Sequence, residues 1–370
     1  MDVLNEANRL ERSGRSILHL EAGQPATKAP QTAIRAAELA LRSETLGYTE
    51  ALGLPALRER ISRHYRDWYG IDVSPTRIIA TTGSSAAFVF AFLLLFEHGD
   101  TLAISNPGYP AYRNISKALG IRTKFIECKN DVAFRLTANA LAAAGPVTGA
   151  LIASPSNPCG TIIPPEELQR ITTYCDEKGI ALISDEIYHG ISYGANAQTA
   201  LAFSSNVIAI NSFSKYFSMT GWRIGWMIVP EHLVAAVERM AQNFYISPPA
   251  ISQVAAIAAF DAREELQAHV KTYEANRGVL LEAVARAGMN IVAPADGAFY
   301  LYADTSKFGM SASIFAARLL GEAGVAATPG VDFDPREGEN WIRFSYAGSR
   351  SAIKDASGRL VAWSKLNLQR

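Results

Sequence analysis

Lys215 stands in the string Ser212-Phe213-Ser214-Lys215, and eight residues on comes Arg223 within GWRIGW. Asp185 closes the apolar run IALISDEIY thirty residues before Lys215, and Asn157 lies another 28 back in SPSNPCG. A lysine bracketed by hydroxyls and followed by an arginine can hold a phosphorylated aldehyde as an imine. The amine takes the carbonyl, while the hydroxyls and the guanidinium take the phosphate. An aspartate at a strand end is the anion that an electron-withdrawing pyridinium ring requires.

Two further groups suit an anionic ligand. Gly83, Ser84 and Ser85 open a helix expected from Ala86, and the N–H groups at a helix N-terminus bind anions. Arg343, in WIRFSYAG, carries a fork that can grip a carboxylate through two parallel hydrogen bonds. Each residue also has an ordinary structural role open to it. Asp185 can cap a helix, Asn157 can turn the chain before Pro158, Tyr188 can pack, and a strand arginine can pair on the surface.

The elements expected around these residues explain how they converge. The β-branched runs RIIATT, TLAIS, RTKFIE, GALIAS, IALISD, VIAINS and GWMIV alternate with helical stretches between about residues 77 and 230. Continuous apolar strands joined by helices predict an α/β fold with a mostly parallel, doubly wound sheet of about seven strands. Asn157, Asp185 and Lys215 each follow or end a strand, so each βα unit returns them to one edge. From about residue 275 a helical stretch, short strands at NIVAP, GAFYLYAD and NWIRFSYAG, and the helix SASIFAARLLGEAG predict a compact α+β region.

With these motifs in this order, from EAGQP to RFSYA, the chain resembles the class I/II aminotransferases of pyridoxal-phosphate (PLP) fold type I. The resemblance implies a large PLP-binding domain at 31–274 and a small domain from 1–30 and 275–370. It makes Lys215 the catalytic residue and covalent anchor. Asp185 becomes the partner of the ring nitrogen, with Tyr188 and Asn157 as donors to the ring oxygen. Gly83, Ser84, Ser85, Ser212, Ser214 and Arg223 become the phosphate site. Tyr109, in NPGYPAY, would stack on the ring, and Tyr48 would reach the phosphate of a neighbouring subunit, which requires a homodimer. Arg343, Gly23 and Asn157 would receive the substrate. The implied reaction moves an amino group from an amino acid to a 2-oxo acid by a ping-pong route.

Bulk properties exclude other classes. Lys+Arg and Asp+Glu balance at 35 each, which gives no basic excess for nucleic acid or an anionic membrane. Three cysteines and six scattered histidines lack metal-ligand spacing, so no metal site is expected and a reducing cytoplasm is the expected location. The N-terminus MDVLNEANRLERSGR has no apolar core of a signal peptide. The longest apolar run, 86–96, is too short to span a bilayer and predicts a buried helix.

Departures from the family pattern bear on substrate. Some bacterial aspartate aminotransferases of the family carry a lysine where Ser84 stands, which counts against aspartate here. The usual NPTG is NPCG, with Cys159, and Gln24 replaces a common acidic residue. The resemblance also implies a late start, with a few residues that cap the pocket expected to be missing or mis-annotated. Phe244, Tyr245 and Phe299 are candidates for a side-chain pocket or for core. Two other readings remain: a PLP-dependent β-lyase, which begins with the same α-proton loss, and a non-enzymatic effector-sensing domain. The second normally has a basic DNA-binding module ahead of it, and about twenty residues precede EAGQP.

Overall fold

The computed structural model describes residues 2–129 and 132–368. The chain opens with helix α1 (Asp2–Arg12) and the two-residue strand β1 (Leu18–His19), then helices α2 (Gln31–Ser43) and α3 (Pro55–Tyr69). Seven strands follow: β2 (Ile78–Thr81), β3 (Thr101–Asn106), β4 (Arg122–Glu127), β5 (Gly149–Ala153), β6 (Ala181–Asp185), β7 (Ile208–Ser212) and β8 (Gly225–Ile228). They form one sheet in the order β2-β8-β7-β6-β5-β3-β4. All seven apolar runs are strands, as their composition predicts.

Neighbours from β7 to β4 are parallel, while β8 runs antiparallel to both β7 and β2. Geometry explains the exception. A parallel return needs a long crossover, usually helical, and the chain between β7 and β8 is a short loop with a single 3-10 turn, Thr220–Trp222. That loop holds Lys215.

Helix α4 (Ser84–Leu95) is the apolar segment, and it buries Ala87, Phe88, Phe90, Ala91 and Phe92 against the sheet. It begins at Ser84 with Gly83 as N-cap, two residues earlier than expected. Helices α5 (Pro110–Ala118), α6 (Ala138–Ala143) and α7 (Pro165–Lys178) cross between strands; α8 (Val234–Phe244) and α9 (Ala250–Ala259) follow β8.

Helix α10 (Arg263–Arg286) is the long spine of the C-terminal region; it starts well before residue 275, where the sequence pattern changes. Beyond it, β9 (Asn290–Ile291), β10 (Tyr300–Asp304), β12 (Thr328–Pro329) and β13 (Trp341–Ser345) make a four-stranded antiparallel sheet ordered β12-β13-β10-β9. Strand β11 (Val325–Ala326) pairs in parallel with β1, so the N-terminal segment joins this region. Helices α11 (Ala312–Arg318) and α12 (Arg350–Asn367) cover it. One apolar cluster runs from Tyr65 and Trp226 beside the large sheet to Leu301, Phe344 and Leu360 in the small one. The two sheets therefore share a core on this side.

Candidate active site

Strand ends and the loops after them build a cavity of about 300 Å³. Among the predicted residues, Lys215, Arg223 and Ser214 line it from the β7–β8 loop, Asp185 and Tyr188 from the end of β6, and Asn157 from the loop after β5. Ser84 and Ser85 line it from α4, Tyr109 from the start of α5, Gly23 from the N-terminal segment, and Arg343 from β13. Three predicted residues lie elsewhere. Gly83 and Ser212 sit one layer behind, and Tyr48 is 84 % exposed, outside its own chain's cavity.

The lysine is fixed by its neighbours. Phe213 and Phe217 are buried among Trp226 and Phe260, with ring centroids 4.8–5.2 Å apart, and these aromatics pin the loop on both sides of Lys215. Lys215 Nζ donates to the Gly23 carbonyl at 2.6 Å. Burial, with the Arg343 and Arg223 charges, brings its pKa down to about 8, although Asp185 pulls the other way.

Asp185 is buried, and burial raises its pKa to about 6 against the opposing pull of three partners. The Tyr112 hydroxyl donates to Oδ2, the Ile187 amide donates to Oδ1 at 3.1 Å, and Lys215 attracts through space. Behind it lies a second polar group. Glu186 Oε1 accepts from Ser184, Thr199 and the Ala200 amide at 3.0 Å each. His189 Nε2 faces the Ser154 carbonyl at 2.9 Å and must donate, so Nδ1 accepts from the Tyr69 hydroxyl at 2.6 Å. Burial lowers the His189 pKa to about 4, which keeps the ring neutral.

The Arg223 end is a cradle. Arg223 adopts the left-handed conformation, φ 50° and ψ 50°, with Nη1 donating to the Thr220 carbonyl at 3.0 Å. Gly83 has φ 76°, and a Cβ there would lie 2.4 Å from Arg223 Nη2. The guanidinium therefore passes directly over the N-terminus of α4. Ser212 Oγ donates to Ser214 Oγ at 2.9 Å and accepts from the Ser214 amide at 3.0 Å, which orients the hydroxyl that does face the cavity.

At the other end Arg343 is 6 % exposed. Nη1 donates to Asn157 Oδ1 at 2.9 Å, and Nη2 donates to the Glu21 carbonyl and to Thr328 Oγ1. Its guanidinium carbon lies 4.4 Å from the Tyr300 ring centroid and 4.6 Å from that of Phe333. Arg343 Nε is buried without a partner. Because Asn157 Oδ1 is engaged by Arg343, its Nδ2 remains available to a ligand.

Sequence reading passed over Tyr112 and Tyr300. Tyr112 lies in the same NPGYPAY string as Tyr109, and Tyr300 follows Phe299. Tyr300 bonds the Tyr188 hydroxyl at 2.8 Å and approaches Gly23 so closely that a Cβ there would meet its hydroxyl oxygen at 1.9 Å. Phe299 is core, Phe244 is 61 % exposed, and Tyr245 stacks on Phe90, so none of the three lines the cavity.

Lys215, Arg223 and Arg343 form no ion pair with a carboxylate among the described residues, and Asp185 is the only acid lining the cavity. Three cations around one buried carboxylate favour a ligand with at least two anionic groups. The helix N-terminus beneath Arg223 suits a phosphate, the orphan Nε of Arg343 suits a carboxylate, and the amine lies between them. Pyridoxal phosphate with an amino acid fits this donor set.

Comparisons with known proteins agree. A sequence model described as aminotransferase class I and II matches residues 15–360. The valine–pyruvate aminotransferase of Mycobacterium tuberculosis is 45 % identical, covering 98 % of this chain and 95 % of that protein. A (5-formylfuran-3-yl)methyl phosphate transaminase of Methanocaldococcus jannaschii is 36 % identical over 97 % of this chain and 95 % of its own. The crystal structure of an aminotransferase from M. tuberculosis superposes with a TM-score of 0.96 at 44 % identity, covering 99 % of this chain and 96 % of that one. The chain belongs to the class I and II aminotransferases, PLP-dependent enzymes that transfer amino groups.

Proposed function

We propose that this aminotransferase anchors pyridoxal phosphate on Lys215 and takes amino donors with uncharged side chains. The observation that carries the substrate class is the count of cations: among the described residues, Lys215, Arg223 and Arg343 are the only ones of this chain lining the cavity. One serves the phosphate, one the α-carboxylate and one the chemistry, which leaves none from this chain for a second carboxylate. Ser84, where some relatives hold a lysine, supports the same reading, as does the valine–pyruvate name of the M. tuberculosis relative.

The geometry supports a set of residue roles. Arg223, Ser214 and the amides of Ser84 and Ser85 receive the phosphate, with Gly83 and Ser212 positioning them. Asp185 would hold a proton on the ring nitrogen of the bound cofactor, Tyr188 and Asn157 Nδ2 would donate to the ring oxygen, and Tyr109 would pack against the ring. Bound pyridoxal phosphate supplies an electron-poor ring into which charge at the substrate's α-carbon delocalises. Arg343, with Gly23 and Asn157 beside it, would grip the α-carboxylate and so orient the α-carbon for proton loss. An amine that releases its proton near pH 8 is matched to moving a proton from Cα at neutral pH, and this is the task of Lys215 Nζ. The donor leaves as a 2-oxo acid, and a second 2-oxo acid takes up the amino group in reverse.

Residues 31–274 form the cofactor-binding domain in this reading, and 1–30 with 275–370 the small one. Leu39, Leu41, Tyr48 and Phe244 are each more than 60 % exposed, which supports a homodimer in which Tyr48 serves the partner's phosphate site. Three buried free thiols support the cytoplasm as location, and no helix among the described residues is long and apolar enough to cross a membrane. A donor panel of L-valine, L-alanine and L-aspartate against pyruvate and 2-oxoglutarate tests the reading. Neutral donors should turn over at least as efficiently as aspartate; exclusive use of aspartate contradicts it.

A further inference from the structure

The N-terminal segment touches two of the three site cations, Lys215 and Arg343, through its backbone. The Glu21 carbonyl accepts from Arg343 Nη2 and, at 3.1 Å, from Thr328 Oγ1. Two residues on, the Gly23 carbonyl accepts from Lys215 at 2.6 Å. The segment is held as a strap: Leu18 and Leu20 amides donate to Gly324 and Ala326 at 2.8 and 3.0 Å, and the Ser345 amide donates to the Leu20 carbonyl at 2.7 Å.

The side chains of this strap carry charges that the reaction does not use. Glu21 is 6 % exposed; its Oε1 lies 2.7 Å from His19 Nδ1, and its Oε2 is buried without a partner. His19 Nε2 lies 3.3 Å from Glu11 Oε1 on α1, toward solvent. The other charged groups nearby are engaged elsewhere. Arg359 of α12 binds Asp355 and Ser16, Arg15 donates to the Gly321 carbonyl, and Arg343 is occupied as described. Among the described residues, Glu11 and Glu21 are the charged groups that face the imidazole.

We propose that Glu11, His19 and Glu21 form a proton-sensitive positioning relay. With His19 charged, two carboxylates clamp it, the strap is held, and the Glu21 carbonyl keeps Arg343 aimed at the substrate carboxylate. With His19 neutral, the buried Glu21 loses its counter-charge, the strap loosens, and the α-carboxylate binds less tightly. Although burial alone disfavours the charged ring, the two carboxylates outweigh it and raise the His19 pKa above its ordinary value. The clamp is therefore complete at lower pH and is lost as pH rises through that raised value. His19 and Glu21 are positioning residues: they touch neither cofactor nor substrate. The inference rests on Arg343 as the carboxylate site.

Linkage makes this testable without turnover, because a ligand favoured by protonated His19 must raise the His19 pKa by the same factor. The probe is 3-methylbutanoate, which has valine's carbon chain and no amino group to react, added to the PLP-loaded enzyme. The His19 ring signal, identified by its loss in His19→Gln, is titrated by NMR with and without saturating probe. The expected result is a higher His19 pKa with probe and a dissociation constant that weakens about fivefold or more as His19 deprotonates. His19→Gln should flatten that pH dependence and raise KM for amino donors, leaving kcat and cofactor attachment unchanged. If Arg343→Lys abolishes probe binding while the wild-type His19 pKa stays put, the relay is wrong and the Arg343 reading stands. If Arg343→Lys leaves probe binding intact, the Arg343 reading fails first.

Discussion

Replacing Lys215 by methionine should stabilise the cofactor-free protein at neutral pH, because the wild-type chain holds a buried ammonium beside two guanidiniums. Its proton leaves at about 8 instead of the ordinary 10.5. At about 1.4 kcal/mol per pH unit, keeping that charge costs the folded chain about 3 kcal/mol below pH 8. The sign follows from proton counts. Between about pH 8 and 10.5 the unfolded chain binds the proton that the folded chain has released, so wild-type stability rises with pH across that window. Lys215→Met has no such rise. Methionine nearly conserves volume, so packing contributes a smaller and pH-independent difference. Urea unfolding of both proteins without cofactor, at one protein concentration and from about pH 7 to 10, isolates the ionisation. The variant's advantage should shrink by about 2.5 kcal/mol over the series, and titrations common to both chains cancel. A difference that stays constant with pH would refute the reasoning.

Three further outcomes follow from the site. Gly83→Ala places a Cβ 2.4 Å from Arg223 Nη2 at φ 76°. It should cost about 1–2 kcal/mol in stability, and by displacing a charge-assisted phosphate contact should weaken PLP binding about tenfold or more in an absorbance titration. With Arg343 as the proposed carboxylate site, Arg343→Lys should replace a two-point grip with a point charge, a loss of about 2–5 kcal/mol. Steady-state assays should show kcat/KM reduced for every donor while the cofactor still attaches. Tyr112→Phe removes the hydroxyl that holds the Asp185 pKa down. Wild-type cofactor affinity should fall as pH drops through about 6, because Asp185 takes up the proton. In the variant that midpoint moves higher, which binding titrations between about pH 5 and 8 would reveal.

Much of this architecture is readable from local pattern. Strands such as GALIAS and IALISD are buried on both faces, so their runs are unbroken and their ends announce where Asn157 and Asp185 sit. The two-residue strands β1, β11 and β12 are too short to show a period, and only tertiary pairing defines them. Site residues with unusual chemistry for their place, such as Lys215 after a strand, are visible because charge is costly there. Tyr112 and Tyr300 are not, since a tyrosine that bonds Asp185 reads the same in sequence as one that fills core. The strap is likewise invisible in advance. Glu21 acts through a backbone carbonyl, which carries no residue signature, and His19 meets Glu11 only because α1 folds back over β1.

The identity of the lysine that carries the cofactor is open to direct measurement. The protein, incubated with pyridoxal phosphate, should turn yellow, and borohydride should abolish the absorption band and fix the cofactor covalently. Peptide mapping by mass spectrometry should then find one pyridoxyl group, on Lys215, and none in Lys215→Ala. A modified peptide elsewhere, or an unmodified Lys215 after reduction, would contradict the central claim.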